Sequence, residues 1–269
     1  MGELRGGIDL GGTKIQTAVV DADGEVKGQA RRPTPTDGGP QGVAEAMAAA
    51  LREAAEEAGV EPAELRGVGV GSPGDADEKT GVVSGARNLP GWEGSFPLGE
   101  KLKDALGTEV RIGNDVQVAT EAEFHLGAGR EFNSLVGFFW GTGVGGGLVL
   151  DGKPWLGRGA AGEVGHMVVK RGGARCPCGR RGCLEAYAGR SAMEAEARRR
   201  HEEEGEKTEL FKLMEKHGKP RLTSGIWERA IDADDHLAED LIHRAVEALG
   251  TGIASAQNLL DVEAVIVGG

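Results

Sequence analysis

The sequence from Gly6 to Gly24 reads Gly6-Gly-Ile-Asp-Leu-Gly-Gly-Thr-Lys-Ile-Gln-Thr-Ala-Val-Val-Asp-Ala-Asp-Gly24. Two apolar runs flank a glycine-rich bend, and an Asp-Gly pair follows the second run, which is the pattern of strand, bend, strand and hairpin turn. The chain repeats this pattern from Leu135 to Gly152, with the bend Gly141-Thr-Gly-Val-Gly-Gly-Gly. The repeat predicts two similar domains, each opening with a hairpin, and a ligand site in the cleft between them.

The other segments predict a mixed α/β protein, because helical and strand patterns alternate along the chain. We expect helices at 43–57, 116–126, 187–205 and 236–260, and strands at 66–71, 109–113 and 264–269. Asp234 or Asp235 is expected to cap the last helix. We place the domains at 1–116 and 117–269, with a variable helical region at 194–236. A buried strand normally leads into a covering helix, so we also expect a final segment to be missing after the last strand.

The charge of the chain excludes two classes of partner. It carries 43 acidic and 31 basic residues, a net charge of −12. An acidic protein repels nucleic acid and anionic membranes, so we expect neither as a partner. No apolar run has the length of a membrane span and the N-terminus lacks a signal-peptide core, which predicts a cytoplasmic protein.

The three cysteines of the chain lie close together, at Cys176, Cys178 and Cys183, downstream of His166. An odd number of cysteines in a reducing compartment argues against a disulfide framework and favours metal. One nitrogen and three sulfur ligands complete a tetrahedral Zn²⁺ site with no open position, which predicts a structural ion. The alternative is a group of three free thiols.

Two glycine clusters have the composition of a phosphate site, because glycine lets backbone N–H groups approach a polyphosphate closely. In the first cluster, Asp9 would hold Mg²⁺ through water. The residues that follow it would face the phosphates with backbone N–H groups, a hydroxyl and an amine: Gly11, Gly12, Thr13 and Lys14. In the second, the candidate residues are Gly141, Thr142, Gly143 and Gly145. A strand follows this second cluster where a dinucleotide fold requires a helix, and no Walker A sequence occurs. The alternative is a pair of tight hairpins with an incidental Asp.

Together with the closing Val267-Gly268-Gly269, these clusters resemble the actin-like ATPase fold of sugar kinases, a duplicated ribonuclease H-like α/β fold with an interdomain cleft. More narrowly, the chain from Ile8 to Gly269 resembles the ROK family of kinases and repressors. Its Cys176-Pro-Cys-Gly-Arg-Arg-Gly-Cys-Leu-Glu segment is similar to the signature of the zinc-binding members. The resemblance implies an ATP-dependent bacterial glucokinase that uses Mg²⁺, contains structural Zn²⁺ and contacts the adenosine side of ATP through Gly268 and Gly269.

The same resemblance implies the sugar-contacting residues Glu163, His166 and Glu185. Asn114-Asp115 follows a predicted strand and precedes a helix, so the pair is expected at a strand's carboxyl end. Asp115 would accept the proton of the attacking sugar hydroxyl, and Asn114 would hold a neighbouring hydroxyl. Gly74 and Asn88 lie in segments that resemble the family's pocket lining. Without the resemblance, the Asn-Asp pair would be interpreted as an ordinary helix cap.

Other functions remain open at this point. Fructose or an N-acetylated hexosamine could replace glucose, whereas a polyphosphate-dependent relative is disfavoured by the cysteine cluster. A sugar-responsive repressor needs a helix-turn-helix before the phosphate sequence, which here starts by residue 9. A truncated, inactive sugar-binding relative is the third alternative. The family resemblance also implies a homo-oligomer, either a dimer or a tetramer.

Overall fold

The structure is a computed structural model that describes residues 3–86 and 89–269. The chain forms two compact units, unit one at 1–119 and unit two at 120–269. The boundary that we place at 116/117 from the sequence lies three residues before this division. Among the described helices, none combines the length and the apolar character that a membrane span needs.

Unit one contains a five-stranded sheet and a small three-stranded sheet. The eight strands are β1 Arg5–Leu10, β2 Lys14–Val20, β3 Val26–Pro33, β4 Val68–Ser72, β5 Asp75–Asp77, β6 Val82–Ser84, β7 Ser95–Phe96 and β8 Val110–Asn114. The large sheet has the order β3-β2-β1-β4-β8, in which β1 pairs antiparallel with β2 and parallel with β4. Strand β8 extends the parallel half of this sheet by pairing with β4.

Helices α1 Gly39–Glu57 and α2 Leu98–Leu106 accompany these strands, and α3 Asp115–His125 begins in unit one and ends in unit two. Alternate residues of β1 and β2 are buried, which makes one face of the hairpin apolar. Helix α1 covers that face with an alanine-rich stripe that includes the fully buried Met47 and Leu51. Helix α3 begins directly after β8, so the end of this strand positions the first turn of the helix.

Unit two contains one four-stranded sheet and a group of helices. Its elements are β9 Leu135–Trp140, β10 Val144–Leu150, β11 Lys153–Pro154, α4 Glu185–Ala188, α5 Arg190–Glu203, α6 Leu210–Lys216, α7 Ser224–Ile231, α8 His236–Leu260 and β12 Ala264–Gly268. The order β11-β10-β9-β12 reproduces the order β3-β2-β1-β4 of unit one, with an antiparallel hairpin followed by a parallel partner. This topology confirms the internal repeat expected from the two glycine-rich hairpins.

Most predicted elements are confirmed, and one is corrected. Helix α8 has the predicted bounds, and Asp235 is its cap, since its carboxylate accepts the Ala238 N–H at 3.0 Å. The single helix expected at 187–205 is wrong. The chain forms α4 and α5 instead, with Gly189 between them in an extended conformation (φ −57°, ψ 128°) that interrupts helical hydrogen bonding.

Candidate active site and metal centre

The first glycine bend closes the β1–β2 hairpin and is held by a residue that follows β3. The Gly11 N–H donates to the Lys14 carbonyl at 2.9 Å, which forms the tight bend. The Thr34 hydroxyl donates to the Gly11 carbonyl at 2.6 Å, and the Thr34 N–H donates to the Thr13 carbonyl at 3.2 Å. Thr34 is buried and fixes the backbone of the predicted phosphate loop at two carbonyls. Sequence analysis missed this residue, because the contact depends on the pairing of β2 with β3.

Asp9 and Asp115 are the two predicted catalytic-site carboxylates of unit one. Asp9 lies on β1, opposite Gly71 of the parallel strand β4, and Asp115 is the first residue of α3. Burial raises the pKa of Asp115 above its ordinary value, and the negative charge of Asp9 raises it further. A hydrogen bond from the Val116 N–H, with a length of 2.9 Å, opposes this shift. A carboxylate with a raised pKa is a stronger base than an exposed one once it is ionised.

Asn114 caps the helix that carries Asp115. Its side-chain oxygen accepts the N–H groups of Val116 at 3.1 Å and Gln117 at 3.3 Å. Its amide nitrogen donates to the carbonyl of Gly74 at 3.1 Å, which ties the turn after β4 to the start of α3. Asn114 and Gly74 therefore position the first turn of α3. The predicted residue Asn88 lies outside the described residues.

The second glycine bend connects β9 to β10 in unit two and is bonded to the segment that follows the cysteines. The Gly141 N–H donates to the Gly143 carbonyl at 2.9 Å. One carboxylate oxygen of Glu185 accepts the Val144 N–H at 3.0 Å. A Cβ atom on Gly143 would lie 2.3 Å from this oxygen, so a side chain there would displace the carboxylate from the Val144 N–H. Glu185 is thus both adjacent to the cysteine segment and bonded to the predicted phosphate loop.

Three of the predicted nucleotide glycines meet at the end of β9. Both Gly145 of β10 and Gly268 of β12 are register partners of Phe139, on opposite sides of the strand. Gly269 follows with φ 135°, and a side chain there would collide with the backbone of Trp140. These glycines therefore lie together where β9 and β12 end and β10 begins. Backbone without side chains can approach a ligand closely at this end of the sheet.

His166 lies at the end of a short 3₁₀ turn, Val164–His166, that packs on β10. Its Nδ1 atom is 3.6 Å from Sγ of Cys176, and its Nε2 atom is 4.0 Å from a carboxylate oxygen of Glu163. One ring nitrogen thus faces the cysteines and the other faces a carboxylate. This orientation is the one in which an imidazole can bind a metal and donate a hydrogen bond at the same time.

The four predicted metal ligands form one cluster. Potential ligand atoms of His166, Cys176, Cys178 and Cys183 all lie within 4.8 Å of one another. The Sγ atoms of Cys178 and Cys183 are 3.7 Å apart. A tetrahedral zinc site with Zn–S bonds of about 2.3 Å has an S–S edge of roughly 3.8 Å. The donor types and their spacing therefore fit Zn²⁺.

The protein environment has opposite effects on the thiols of this cluster. Burial raises the pKa of Cys176 to about 12 and also raises the pKa of Cys183. A backbone hydrogen bond from Arg180 lowers the pKa of Cys178. Since a metal binds thiolates, an ion entering this cluster would displace protons from the two buried thiols.

The predicted site residues thus fall into two sets. In unit one, the first glycine bend, Asp9, Gly74, Asn114 and Asp115 surround the carboxyl ends of β1, β4 and β8. In unit two, the second bend, Glu163, Glu185, His166 and the cysteines are adjacent in space. Sequence analysis also missed Arg190, whose guanidinium donates to the Thr142 hydroxyl at 3.3 Å.

A family profile and the sequences of known proteins match nearly the whole chain. The sequence profile of the ROK family matches residues 5–269. A glucokinase from Thermotoga maritima is 34% identical over 268 residues, which are 98% of this chain and 80% of that protein. An N-acetylmannosamine kinase from Shigella boydii is 33% identical over 263 residues, 97% of this chain and 81% of that protein.

A solved structure matches closely as well. It is a ROK family glucokinase from Streptomyces griseus in complex with glucose and AMPPNP. The two structures have a TM-score of 0.81 and 32% sequence identity, and the match covers 99% of this chain and 83% of the other. These matches confirm the actin-like ATPase fold that the sequence resemblance predicts.

Proposed function

This chain belongs to the ROK family, and we propose that it is an ATP-dependent hexose kinase that converts glucose to glucose 6-phosphate. The relatives named glucokinase and the glucokinase structure with glucose and AMPPNP support phosphorylation of a hexose by ATP. The observation that carries the proposal in this chain is the position of Asp115. It is a half-buried carboxylate with a raised pKa, close enough to Asp9 of the first glycine bend to be affected by its charge.

Asp115 is the proposed general base. Its carboxylate would accept the proton of the primary hydroxyl of the sugar while that oxygen attacks the γ-phosphorus of ATP. The bond between the γ-phosphorus and the bridging oxygen breaks, and ADP leaves with the electron pair. Burial disfavours the ionised form and so makes the carboxylate a better proton acceptor than an exposed Asp.

The two glycine bends are the proposed phosphate-binding elements. Asp9 would hold Mg²⁺ through water, with Gly11, Gly12, Thr13 and Lys14 facing the phosphates. In unit two, Gly141, Thr142, Gly143 and Gly145 would face the phosphates, and Gly268 and Gly269 the adenosine. Mg²⁺ would neutralise charge on the phosphates as the phosphoryl group is transferred.

The sugar-binding set is proposed to be Glu163, His166 and Glu185, with Asn114 and the Gly74 segment. Carboxylates accept several hydrogen bonds and therefore suit sugar hydroxyls. One oxygen of Glu185 is used by the Val144 N–H, so the proposal assigns the second oxygen to the sugar. The side-chain oxygen of Asn114 caps α3, and one hydrogen of its amide nitrogen is donated to the Gly74 carbonyl. The second amide hydrogen is thus left for a sugar hydroxyl.

Zn²⁺ would be held by His166, Cys176, Cys178 and Cys183. With four protein ligands it would supply no catalytic position, and its contribution would be to fix the cysteine loop. Binding through Nδ1 of His166 would fix the ring tautomer and leave the Nε2 hydrogen for a hydroxyl or for Glu163. The protein is further expected to act in the cytoplasm as a homo-oligomer, a dimer or a tetramer.

A second candidate is a kinase for an N-acetylated hexosamine, because the N-acetylmannosamine kinase matches at nearly the same identity as the glucokinase. Fructose is the other candidate sugar from sequence analysis. The test is to measure kcat/KM with Mg-ATP for glucose, N-acetylmannosamine and fructose, with identification of the phosphorylated product. We expect glucose to have the highest value and a 6-phosphate to form. A higher value for either other sugar would replace glucose in the proposal, and no turnover with any of them would contradict the kinase.

A further inference from the structure

Arg190 is a cation at the second glycine bend that the mechanism above does not use. We propose that Arg190 is a further nucleotide-binding residue, whose guanidinium contacts the phosphates of ATP at Thr142. This inference rests on the proposed function, because it takes the second glycine bend as a phosphate-binding element. It adds a charged contact to a bend that otherwise offers backbone groups and one hydroxyl.

The geometry places the guanidinium directly on this bend. Arg190 is the first residue of α5, and its N–H donates to the carbonyl of Gly141 at 3.1 Å. Its side chain donates to the Thr142 hydroxyl at 3.3 Å and to the Ser224 hydroxyl at 2.9 Å. The next N–H, of Ser191, donates to the carbonyl of Thr142 at 3.0 Å. Two backbone bonds therefore join the start of α5 to the bend, and the Arg190 side chain is held by two neutral hydroxyls.

The charge of Arg190 is the second observation. The other arginines on or packed around α5 form ion pairs with carboxylates: Arg198, Arg199, Arg200, Arg221 and Arg244. Across residues 3–86 and 89–269, none of the ion pairs includes Arg190. Within the described residues, the guanidinium of Arg190 thus differs from those of its neighbours on α5, whose charges are offset by carboxylates.

The position of the charge along the helix points to an anion. A helix N-terminus has a partial positive charge, so a cation in the first turn is electrostatically unfavourable and an anion is favoured. Helix α5 has 14 residues, and no acidic residue lies in its first turn to offset Arg190. The first two N–H groups of α5 already donate to the bend, so a phosphate beside Thr142 would chiefly compensate the charge of the guanidinium. The planar guanidinium can donate two parallel hydrogen bonds to phosphate oxygens, which lysine cannot.

A matched control exists at the same end of α5. The guanidinium of Arg221 donates to the Ser191 hydroxyl at 2.6 Å, one residue along from Arg190. It also lies 3.7 Å from a carboxylate oxygen of Glu194, which offsets its charge. Arg221→Gln therefore removes an arginine that contacts the start of α5 from outside the helix, without removing an uncompensated charge.

The experiment compares Arg190→Gln, Arg190→Lys and Arg221→Gln with the unmodified chain. Affinities for ADP and for adenosine are measured by calorimetry with Mg²⁺, at two salt concentrations, and melting temperatures show whether each variant is folded. Loss of a charged contact to phosphate should weaken ADP binding about tenfold to a hundredfold in Arg190→Gln. The affinity of Arg190→Gln for adenosine should be unchanged. The ADP affinity of Arg190→Lys should lie between those of Arg190→Gln and the unmodified chain, and Arg221→Gln should bind ADP like the unmodified chain.

Two results would overturn the inference: equal weakening of ADP and adenosine by Arg190→Gln, or no more ADP weakening than in Arg221→Gln. Failure of the kinase is a separate outcome. If the unmodified chain binds ADP in an Arg190-dependent way and yet transfers no phosphoryl group to any sugar, the nucleotide contact is supported and the kinase is not. If the unmodified chain phosphorylates a sugar and Arg190→Gln binds ADP normally, only the inference about Arg190 fails.

Discussion

Gly71 and Gly113 face each other across β4 and β8, and the first turn of α3 lies over both of them. A Cβ atom on Gly71 would be 3.4 Å from Cα of Asp115, and one on Gly113 would be 2.8 Å from Cγ2 of Val118. The helix that carries the proposed base can approach the sheet this closely because both positions lack a side chain. The distance between Asp115 and the strands is therefore determined by these two glycines.

Gly113→Ala should lower kcat with little change in the KM for the sugar. The added methyl group would lie 2.8 Å from Cγ2 of Val118, so either the Val118 side chain turns or the first turn of α3 shifts together with Asp115. We expect the shift of the helix, at a cost of about 1–3 kcal/mol in stability. Kinetic constants and the free energy of unfolding are the measurements. Gly69→Ala is the matched control, because a Cβ atom on this neighbouring glycine of β4 would meet nothing within 4 Å.

The double variant Gly113→Ala with Val118→Ala should recover much of the lost kcat, since Val118→Ala removes the atom in conflict. A Gly113→Ala enzyme with unchanged kcat would show that the close approach does not position Asp115. A double variant no better than the single one would show that the loss has another cause.

Asp115→Asn should abolish turnover and yet stabilise the folded chain at neutral pH. The loss of a general base typically costs about a hundredfold to ten-thousandfold in rate. The pKa of Asp115 is raised in the folded state, so this state binds the proton more tightly than the unfolded chain does. The ionised carboxylate therefore destabilises the fold above the folded pKa, and this penalty disappears as pH falls below the unfolded value of about 3.9.

Melting temperatures of Asp115→Asn and the unmodified chain, measured from pH 3 to pH 8, test this sign. The variant should melt higher at pH 7, and the difference should shrink towards pH 3. The opposite trend would be a variant that melts below the unmodified chain at pH 7, with the difference vanishing at pH 3. That result would mean that the fold lowers the pKa of Asp115.

Asp9→Asn should move the acid limb of the pH–rate profile to lower pH. The charge of Asp9 raises the pKa of Asp115, and the neutral amide removes this contribution. The variant will have a low kcat/KM if Asp9 holds Mg²⁺ through water. The pH at which kcat/KM falls on the acid side can still be measured, because it does not depend on the maximal value. An unchanged limb would indicate that the two carboxylates do not interact in solution.

Chelation of the metal should destabilise unit two and reduce sugar affinity. One zinc ion per chain is expected by elemental analysis, and Cys178→Ser should lower the zinc content and the melting temperature. Since structural zinc sites supply several kcal/mol of folding free energy, the loss should exceed about 3 kcal/mol. His125→Ala is the control, because His125 is an exposed histidine outside the metal cluster.

Rebinding of zinc should also release protons at neutral pH. The raised pKa values of Cys176 and Cys183 keep both thiols protonated in the metal-free loop, and the ion binds thiolates. Titration of zinc into metal-free protein in a weak buffer with a pH indicator measures this release. Zinc uptake without proton release would contradict coordination by the cysteines.

Local sequence patterns were sufficient to predict much of this molecule. The bounds of α8 follow from its apolar periodicity and from Asp235. The cluster of potential metal ligands follows from the spacing of three cysteines after His166. The two glycine-rich hairpins predict the internal repeat, since each is one continuous segment.

Features that depend on distant pairing were not predictable in the same way. Thr34 reaches the first bend only because β3 pairs with β2, and Gly71 meets Gly113 only through the register of two parallel strands. Arg190 adjoins Thr142 across 47 intervening residues. Gly189 interrupts a segment with strong helical composition, because Arg190 and Ser191 bond the second bend instead of continuing α4.

The most direct test of the central claim is a coupled assay of ADP release with glucose and Mg-ATP, with Asp115→Asn and the exposed carboxylate variant Asp104→Asn run alongside. The account predicts glucose-dependent ADP release in the unmodified chain and in Asp104→Asn, and at least a hundredfold less, roughly, in Asp115→Asn. Folded, zinc-loaded protein that releases no ADP with glucose would contradict the proposed activity, and full activity in Asp115→Asn would contradict the proposed base.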